Sequence, residues 1–159
     1  MQADRNSLRL KNQLCFPIYL CSKEIIRRYA PLLKELDLTY TQYIVMMYFW
    51  EKKQSNMRDL GRALLLDPST LTPLLVKLEA KGYITKIKSK LDGRNLDIAI
   101  TDKGAKLEKK ALSVPEAMRE CVNLSEEEAK VLYNLTYKVL NNIEKRRYNE
   151  NCRSEPREF

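Results

Sequence analysis

The stretch Asp67-Pro-Ser-Thr-Leu-Thr-Pro-Leu-Leu-Val-Lys-Leu-Glu-Ala-Lys-Gly82 decides the fold. Asp67 can accept from the first amides of a helix, and Pro68 suits the first helical position, where its missing N–H costs nothing. The spacing predicts a helix over Ser69 to Lys81, with Leu71, Leu75 and Leu78 on one face at i, i+4 and i+7. Gly82 stands where a helix end takes a left-handed residue. Upstream, Ser55 and Asn56 can cap a short helix from Met57 to Leu65, ahead of a turn at Leu66-Asp67. Two short helices joined so tightly make a helix-turn-helix.

Downstream, Tyr83-Ile-Thr-Lys-Ile-Lys88 reads as a strand and Asp92-Gly93 as a turn. Leu96, Ile98 and Ile100 then alternate along a second strand. A hairpin directly after a helix-turn-helix is a wing. Towards the amino end, Leu10, Leu14, Ile18, Ile25, Tyr29, Leu32, Leu33 and Leu36 predict one long amphipathic helix from Leu8 to Leu36. Pro17 should kink it or confine its regular part, and Pro31 should bend it. Thr41 to Lys52 is densely apolar and reads as a core helix. Beyond the wing, a helix from Thr101 runs towards Leu112, is disturbed at Pro115 and resumes to about Cys121. Ser125-Glu-Glu-Glu128 forms a capping box for a last helix striped by Val131, Leu132, Leu135, Val139, Leu140 and Ile143, and the tail from Arg146 reads as frayed.

The expected fold class is therefore mainly α with a small β wing, a single domain over residues 1–159. A winged helix-turn-helix occupies about 55–101, between terminal helical segments at about 8–36 and 102–145. The chain has no histidine, which excludes Ser-His-Asp and Cys-His catalysis and any His-ligated metal site. Cys15, Cys21, Cys121 and Cys152 contain no Cys-x-x-Cys pair, so no metal or other cofactor is expected. No run of ~18 apolar residues exists and the amino end is polar, so neither a membrane span nor a signal peptide is expected, and the cytoplasm is the default location. The formal net charge of +8 suits a polyanionic partner.

With its leucines inward, the Asp67-capped helix turns Ser69, Thr70, Thr72, Pro73, Val76 and Lys77 outward. Hydroxyls and amides at a helix amino end suit phosphates and base edges, and Lys77 suits phosphate or guanine. Pro73 forfeits a backbone bond to Ser69, which a contact with a thymine methyl would rationalise. In the hairpin, Lys86, Lys88 and Lys90 share one face while they stay in a strand. Such a stripe can simply protect a sheet edge. Beside a helix-turn-helix it suits a DNA backbone, with Arg94 entering a narrow minor groove and Asp92 orienting it.

Asp92-Gly-Arg94, followed by Ile98, Ile100-Thr101 and Gly104, resembles the wing signature of the MarR family of bacterial repressors. Leu71-Thr-Pro-Leu-Leu75, Lys77-Leu-Glu79 and Gly82-Tyr-Ile84 resemble its recognition helix and exit. The resemblance runs from about Leu8 to Ile143. It implies a homodimer, held by the N- and C-terminal helices, on pseudo-palindromic double-stranded operators. One departure is Gly93, where the family often has Arg.

Gln13-Leu-Cys15-Phe, with Tyr19, Tyr29 and Leu38-Thr-Tyr40-Thr, resembles the OhrR-type branch of the family, which senses organic hydroperoxides. That resemblance implies that Cys15 is oxidised and that Tyr19, Tyr29 and Tyr40 surround it. The chemistry agrees, because a thiolate is the reactive form and phenol donors favour it. Helix geometry adds a separate point. Cys15 and Tyr29 lie about 21 Å apart along a helix yet only ~40° apart around it. They share a stripe but cannot touch within one chain. Antiparallel pairing of two copies near Ser22 would bring each Cys15 level with the partner's Tyr29. Cys21 is too far along the helix to pair with Cys15, whereas the two-cysteine members of the branch imply a resolving cysteine near Cys121 from the other subunit.

The reading that follows is a repressor that releases its operator when organic hydroperoxide oxidises Cys15, with Cys121 or a low-molecular-weight thiol completing a disulfide. An alternative keeps the repressor, makes a small aromatic ligand the effector and leaves Cys15 structural. A thiol peroxidase ranks last, because the chain lacks a Cys-x-x-Cys or oxyanion-type motif. The expected chain is not an enzyme.

Overall fold

The computed structural model describes residues 5–88 and 96–154, with side chains for 5–87 and 97–145. The chain divides into two compact units, residues 1–121 and 122–159.

The first unit opens with two short 3-10 turns, Arg5–Leu8 and Leu10–Asn12, before helix α1, Cys15–Lys34. The long helix expected from Leu8 has its regular part start only at Cys15, close to the confinement expected at Pro17. As third residue of α1 its missing N–H lies among the first amides, which have no intrahelical partner; in a helix begun at Leu8 it would leave the Gln13 carbonyl without its donor. Pro31 is accommodated inside α1. The helix ends in a Schellman turn, with Leu38 N–H on the Leu33 carbonyl at 3.0 Å and Asp37 in the left-handed region (φ 53°).

Helix α2, Tyr40–Lys52, begins at a capping box in which Thr39 and Gln42 exchange side-chain-to-amide bonds. Its Val45, Met46 and Phe49 are fully buried. Strand β1, Gln54–Asn56, follows, then helix α3, Met57–Leu64, capped by Asn56. Helix α4, Pro68–Ala80, is capped by Asp67 as the sequence indicates, and Leu71, Leu75 and Leu78 are buried. Gly82, at φ +71°, closes α4 with a second Schellman turn, Tyr83 N–H to Leu78 carbonyl at 3.0 Å.

Strands β2, Ile84–Lys88, and β3, Leu96–Ile100, pair antiparallel from Ile84↔Ile100 to Lys88↔Leu96. The sheet order is β1-β3-β2, with Ser55 opposite Ile98. The third strand is not visible to alternation rules, because Gln54-Ser-Asn56 is wholly polar and its only other signature is a helix cap. Helix α5, Asp102–Ala111, starts at Thr101, and helix α6, Ser113–Val122, follows it with Pro115 in its first turn.

One core joins these elements: Leu33, Phe49, Leu60, Leu71, Leu78, Ile98 and Val114 all belong to it. The Trp50 indole N–H donates to the Gly104 carbonyl at 2.9 Å, tying α2 to α5. The Thr101 hydroxyl bonds the Gly82 carbonyl at 2.6 Å and caps α5 by accepting from Gly104 N–H at 3.0 Å. That side chain connects the exit of α4, the end of the wing and the start of α5.

The second unit is helix α7, Glu126–Ser154, opened by the expected capping box between Ser125 and Glu128. The helix continues past Arg146 to Ser154, further than a frayed tail would allow. No Pro or Gly interrupts it before Pro156. Among the described residues no helix is long and apolar enough to cross a membrane.

Candidate DNA interface and thiol site

On α4 every outward residue named from the sequence is exposed: Ser69, Thr70, Thr72, Pro73, Val76 and Lys77. Their hydrogen bonding differs from what a helix amino end alone suggests. Asp67 accepts from the Thr70 amide at 2.9 Å, from the Thr70 hydroxyl at 3.1 Å and from the Ser69 hydroxyl. The Thr72 hydroxyl donates to the Pro68 carbonyl at 2.7 Å. All three hydroxyl protons are therefore taken up by acceptors of the chain itself, the Asp67 carboxylate and the Pro68 carbonyl. Asp67's role beyond capping is one residue-level feature that sequence reading missed, although Asp-Pro-Ser-Thr is the signal that could have found it.

These bonds, first that from Ser69 and then those from Thr70, hold the Asp67 carboxyl down at about 2. Its folded value lies below the usual aspartate value, so the cap favours the folded state above pH ~4 and that contribution is lost as pH falls through about 2. An NMR titration of the Asp67 carboxyl should show its midpoint near 2. A midpoint at the ordinary aspartate value would mean the hydroxyls are not held.

In the wing, Lys86 is paired within the protein, with its Nζ 2.8 Å from Glu79 Oε2. The pair joins the end of α4 to β2, and Lys86 holds the Glu79 carboxyl below the usual range. Lys88 contributes backbone pairing with Leu96; its side chain, with Lys90, Asp92 and Arg94, lies outside the described residues.

The residues around the proposed thiol site fall into two groups. Cys15 is the first residue of α1 and is exposed, as is Tyr19 one turn on. Tyr29, towards the other end of α1, stacks on Tyr40 with centroids 4.9 Å apart and meets Tyr43 at 5.9 Å. Tyr43 was not anticipated, since its spacing within α2 reads simply as core. Burial, reinforced by Tyr40, raises the Tyr29 phenol above its ordinary value, so it remains a proton donor at neutral pH. With α1 helical throughout, Cys15 and Tyr29 are separated by about 21 Å of helix. One chain does not bring them together. Cys21 and Cys121 are free and exposed, and the Cys152 side chain lies outside the described residues. Among the described residues no cluster of His, Cys, Asp or Glu could hold a metal ion.

Comparison with known proteins gives a consistent picture. Residues 27–111 match the family model described as transcriptional regulator SarA/Rot. The chain is similar to the HTH-type transcriptional regulator SarZ of Staphylococcus haemolyticus, 41% identical over 84% of this chain and 90% of that one. It is similar also to the organic hydroperoxide resistance transcriptional regulator of Bacillus subtilis, 36% identical over 90% of this chain and 97% of that one. Among solved structures, reduced AbfR bound to DNA superposes with a TM-score of 0.70 at 33% identity, covering 89% of this chain and 99% of that one. AbfR, from Staphylococcus epidermidis, is also known in an overoxidised DNA-bound form and a disulfide form.

Proposed function

Since the chain belongs to the SarA/Rot family of MarR-like winged-helix transcriptional regulators, we propose that it binds operator DNA as a homodimer and releases it when organic hydroperoxide oxidises Cys15. The observation that carries the reading is the split of its sensing residues. Cys15 and Tyr19 sit at one end of α1, and the Tyr29–Tyr40 pair sits at the other. A second copy paired antiparallel along α1 brings the two groups level. Apolar side chains exposed on α1, among them Ile18, Tyr19 and Ile25, and on α7, among them Val131 and Leu135, support such pairing.

The thiolate sulfur attacks the distal peroxide oxygen, the O–O bond breaks and the alcohol leaves, giving a sulfenate. Attack by a second thiol, Cys121 of the other copy or a low-molecular-weight thiol, then forms a disulfide and releases water. The new group repacks the interface and re-spaces the two winged elements. Ser69, Thr70, Thr72, Pro73 and Lys77 face the major groove in this reading, the wing's Lys86, Lys88 and Lys90 follow the backbone, and Arg94, oriented by Asp92, enters the minor groove.

Titrating the protein–operator complex with cumene hydroperoxide, followed by peptide mapping, tests this directly. Release accompanied by a Cys15 sulfenate or disulfide is expected. Release without modification of Cys15 overturns it. For the wing, Arg94→Ala should weaken operator binding and reduce the slope of log affinity against log salt by about one. An unchanged slope would return Arg94 to a structural role.

A second reading is favoured by one feature, an open hollow of about 430 Å³ lined by Ile26, Ala30, Leu38 and Tyr40 and by the charged Lys34, Asp37 and Lys81, the last two paired at 3.0 Å. Its apolar wall and Lys34 would suit a small aromatic acid. Release of operator from unoxidised protein by salicylate, with no response to hydroperoxide, would select that reading instead.

A further inference from the structure

The three hydroxyls on the recognition surface of α4 offer no protons outward. An ionised carboxylate can only accept, so the Ser69 and Thr70 hydroxyls that meet Asp67 must be the donors in those bonds. Thr72 has likewise given its proton to the Pro68 carbonyl. What these three exposed oxygens turn outward is lone pairs. Pro73 adds another acceptor, since it has no N–H to give the Ser69 carbonyl. At the amino end of the helix, Pro68 has no amide proton, the Thr70 amide is held by Asp67, and the Ser69 amide, second in the helix, is the backbone donor without an intrahelical acceptor. Along the outward face, Lys77 is the donor side chain.

This excludes one of the two roles that hydroxyls at a helix amino end usually fill. A phosphate oxygen at neutral pH carries no proton to give, and it would face the charged Asp67 as well. In the major groove, donors are found on two bases only: the exocyclic amino groups of adenine (N6) and cytosine (N4). Resting on the DNA-binding reading above, we propose that Ser69 and Thr70 are specificity-determining residues that read adenine or cytosine amino groups through their lone pairs, with Asp67 as the positioning residue that fixes their hydroxyl protons inward. Asp67 is thus more than a cap. It sets the hydrogen-bonding sense of the surface, so that guanine O6 and thymine O4, which are acceptors, are rejected at the positions these hydroxyls face.

The experiment uses the full-length protein and a duplex selected by it from a random pool. Each adenine or cytosine of the selected sequence is replaced in turn by an analogue lacking only the amino group, purine for adenine and 2-pyrimidinone for cytosine. The wild type should lose about tenfold or more in affinity at one or more positions. Ser69→Ala or Thr70→Val should be indifferent to the amino group at that position. Asp67→Asn, which keeps a capping oxygen but no longer fixes the protons, should narrow the preference there for amino over carbonyl bases. It should still bind random duplex with the salt dependence of the wild type. Wild-type indifference to every amino deletion, or amino sensitivity that persists in both hydroxyl variants, overturns the proposal while leaving DNA binding intact. Absence of salt-dependent binding to any duplex would instead remove the DNA-binding reading on which it rests.

Discussion

Cys15→Ser is expected to leave operator binding by untreated protein essentially unchanged and to abolish its release by organic hydroperoxide. The substitution is nearly isosteric at an exposed position in the first turn of α1, so neither packing nor helix capping changes appreciably. A serine hydroxyl stays protonated at neutral pH and does not attack a peroxide, so loss of the response should be complete. Fluorescence anisotropy with labelled operator reads both quantities in one titration. Cys121→Ser divides the remaining chemistry. If Cys121 resolves the sulfenate, its loss leaves Cys15 to accumulate as sulfenate and then sulfinate, visible by mass. If a small thiol resolves it, the mixed disulfide forms as before. A Cys15→Ser protein that still releases operator on hydroperoxide treatment would place the sensing elsewhere.

Gly104→Ala should be the most damaging single-methyl change in the winged element. A Cβ at Gly104 would stand 2.1 Å from the Tyr83 carbonyl oxygen and 2.9 Å from its carbon, both backbone atoms that cannot rotate aside. Alanine is the better helix former by about 1 kcal/mol, but overpacking against fixed atoms costs ~1–3 kcal/mol or more. The clash wins. The expected outcome is a net loss near the upper end of that range, read as a lower midpoint in urea unfolding. The displaced Tyr83 segment carries the bond to Thr101, so operator affinity should fall with stability. A variant as stable as wild type would mean that β2 shifts without cost.

Much of this architecture is legible from residue patterns because the decisive signals are local. Asp67-Pro68 opens a helix, Gly82 closes it, and Leu96, Ile98 and Ile100 alternate; each acts within a few residues and the structure realises each. Where the reading missed, a longer-range partner was responsible. Strand β1 exists because β3 is there to pair with it, and three polar residues cannot announce that. The 3-10 turns before α1 are a local matter instead, in line with the confinement expected at Pro17. Lys86 reads from the sequence as one of a solvent-facing stripe, and only folding brings Glu79 to it. The direction of the Ser69 and Thr70 protons is likewise invisible in the letters until the carboxylate that accepts them is placed.

The Thr101 hydroxyl and the Glu79–Lys86 pair clamp helix α4 to the hairpin at two points, the helix exit and the base of β2. A reading head braced in this manner tends to move as one piece, helix and hairpin together. In the proposed homodimer, tolerance to the number of base pairs between operator halves would then have to come from outside this braced element. In the homodimer proposed above, oxidation of Cys15 would then act by throwing two such calipers out of step with the turn of the double helix.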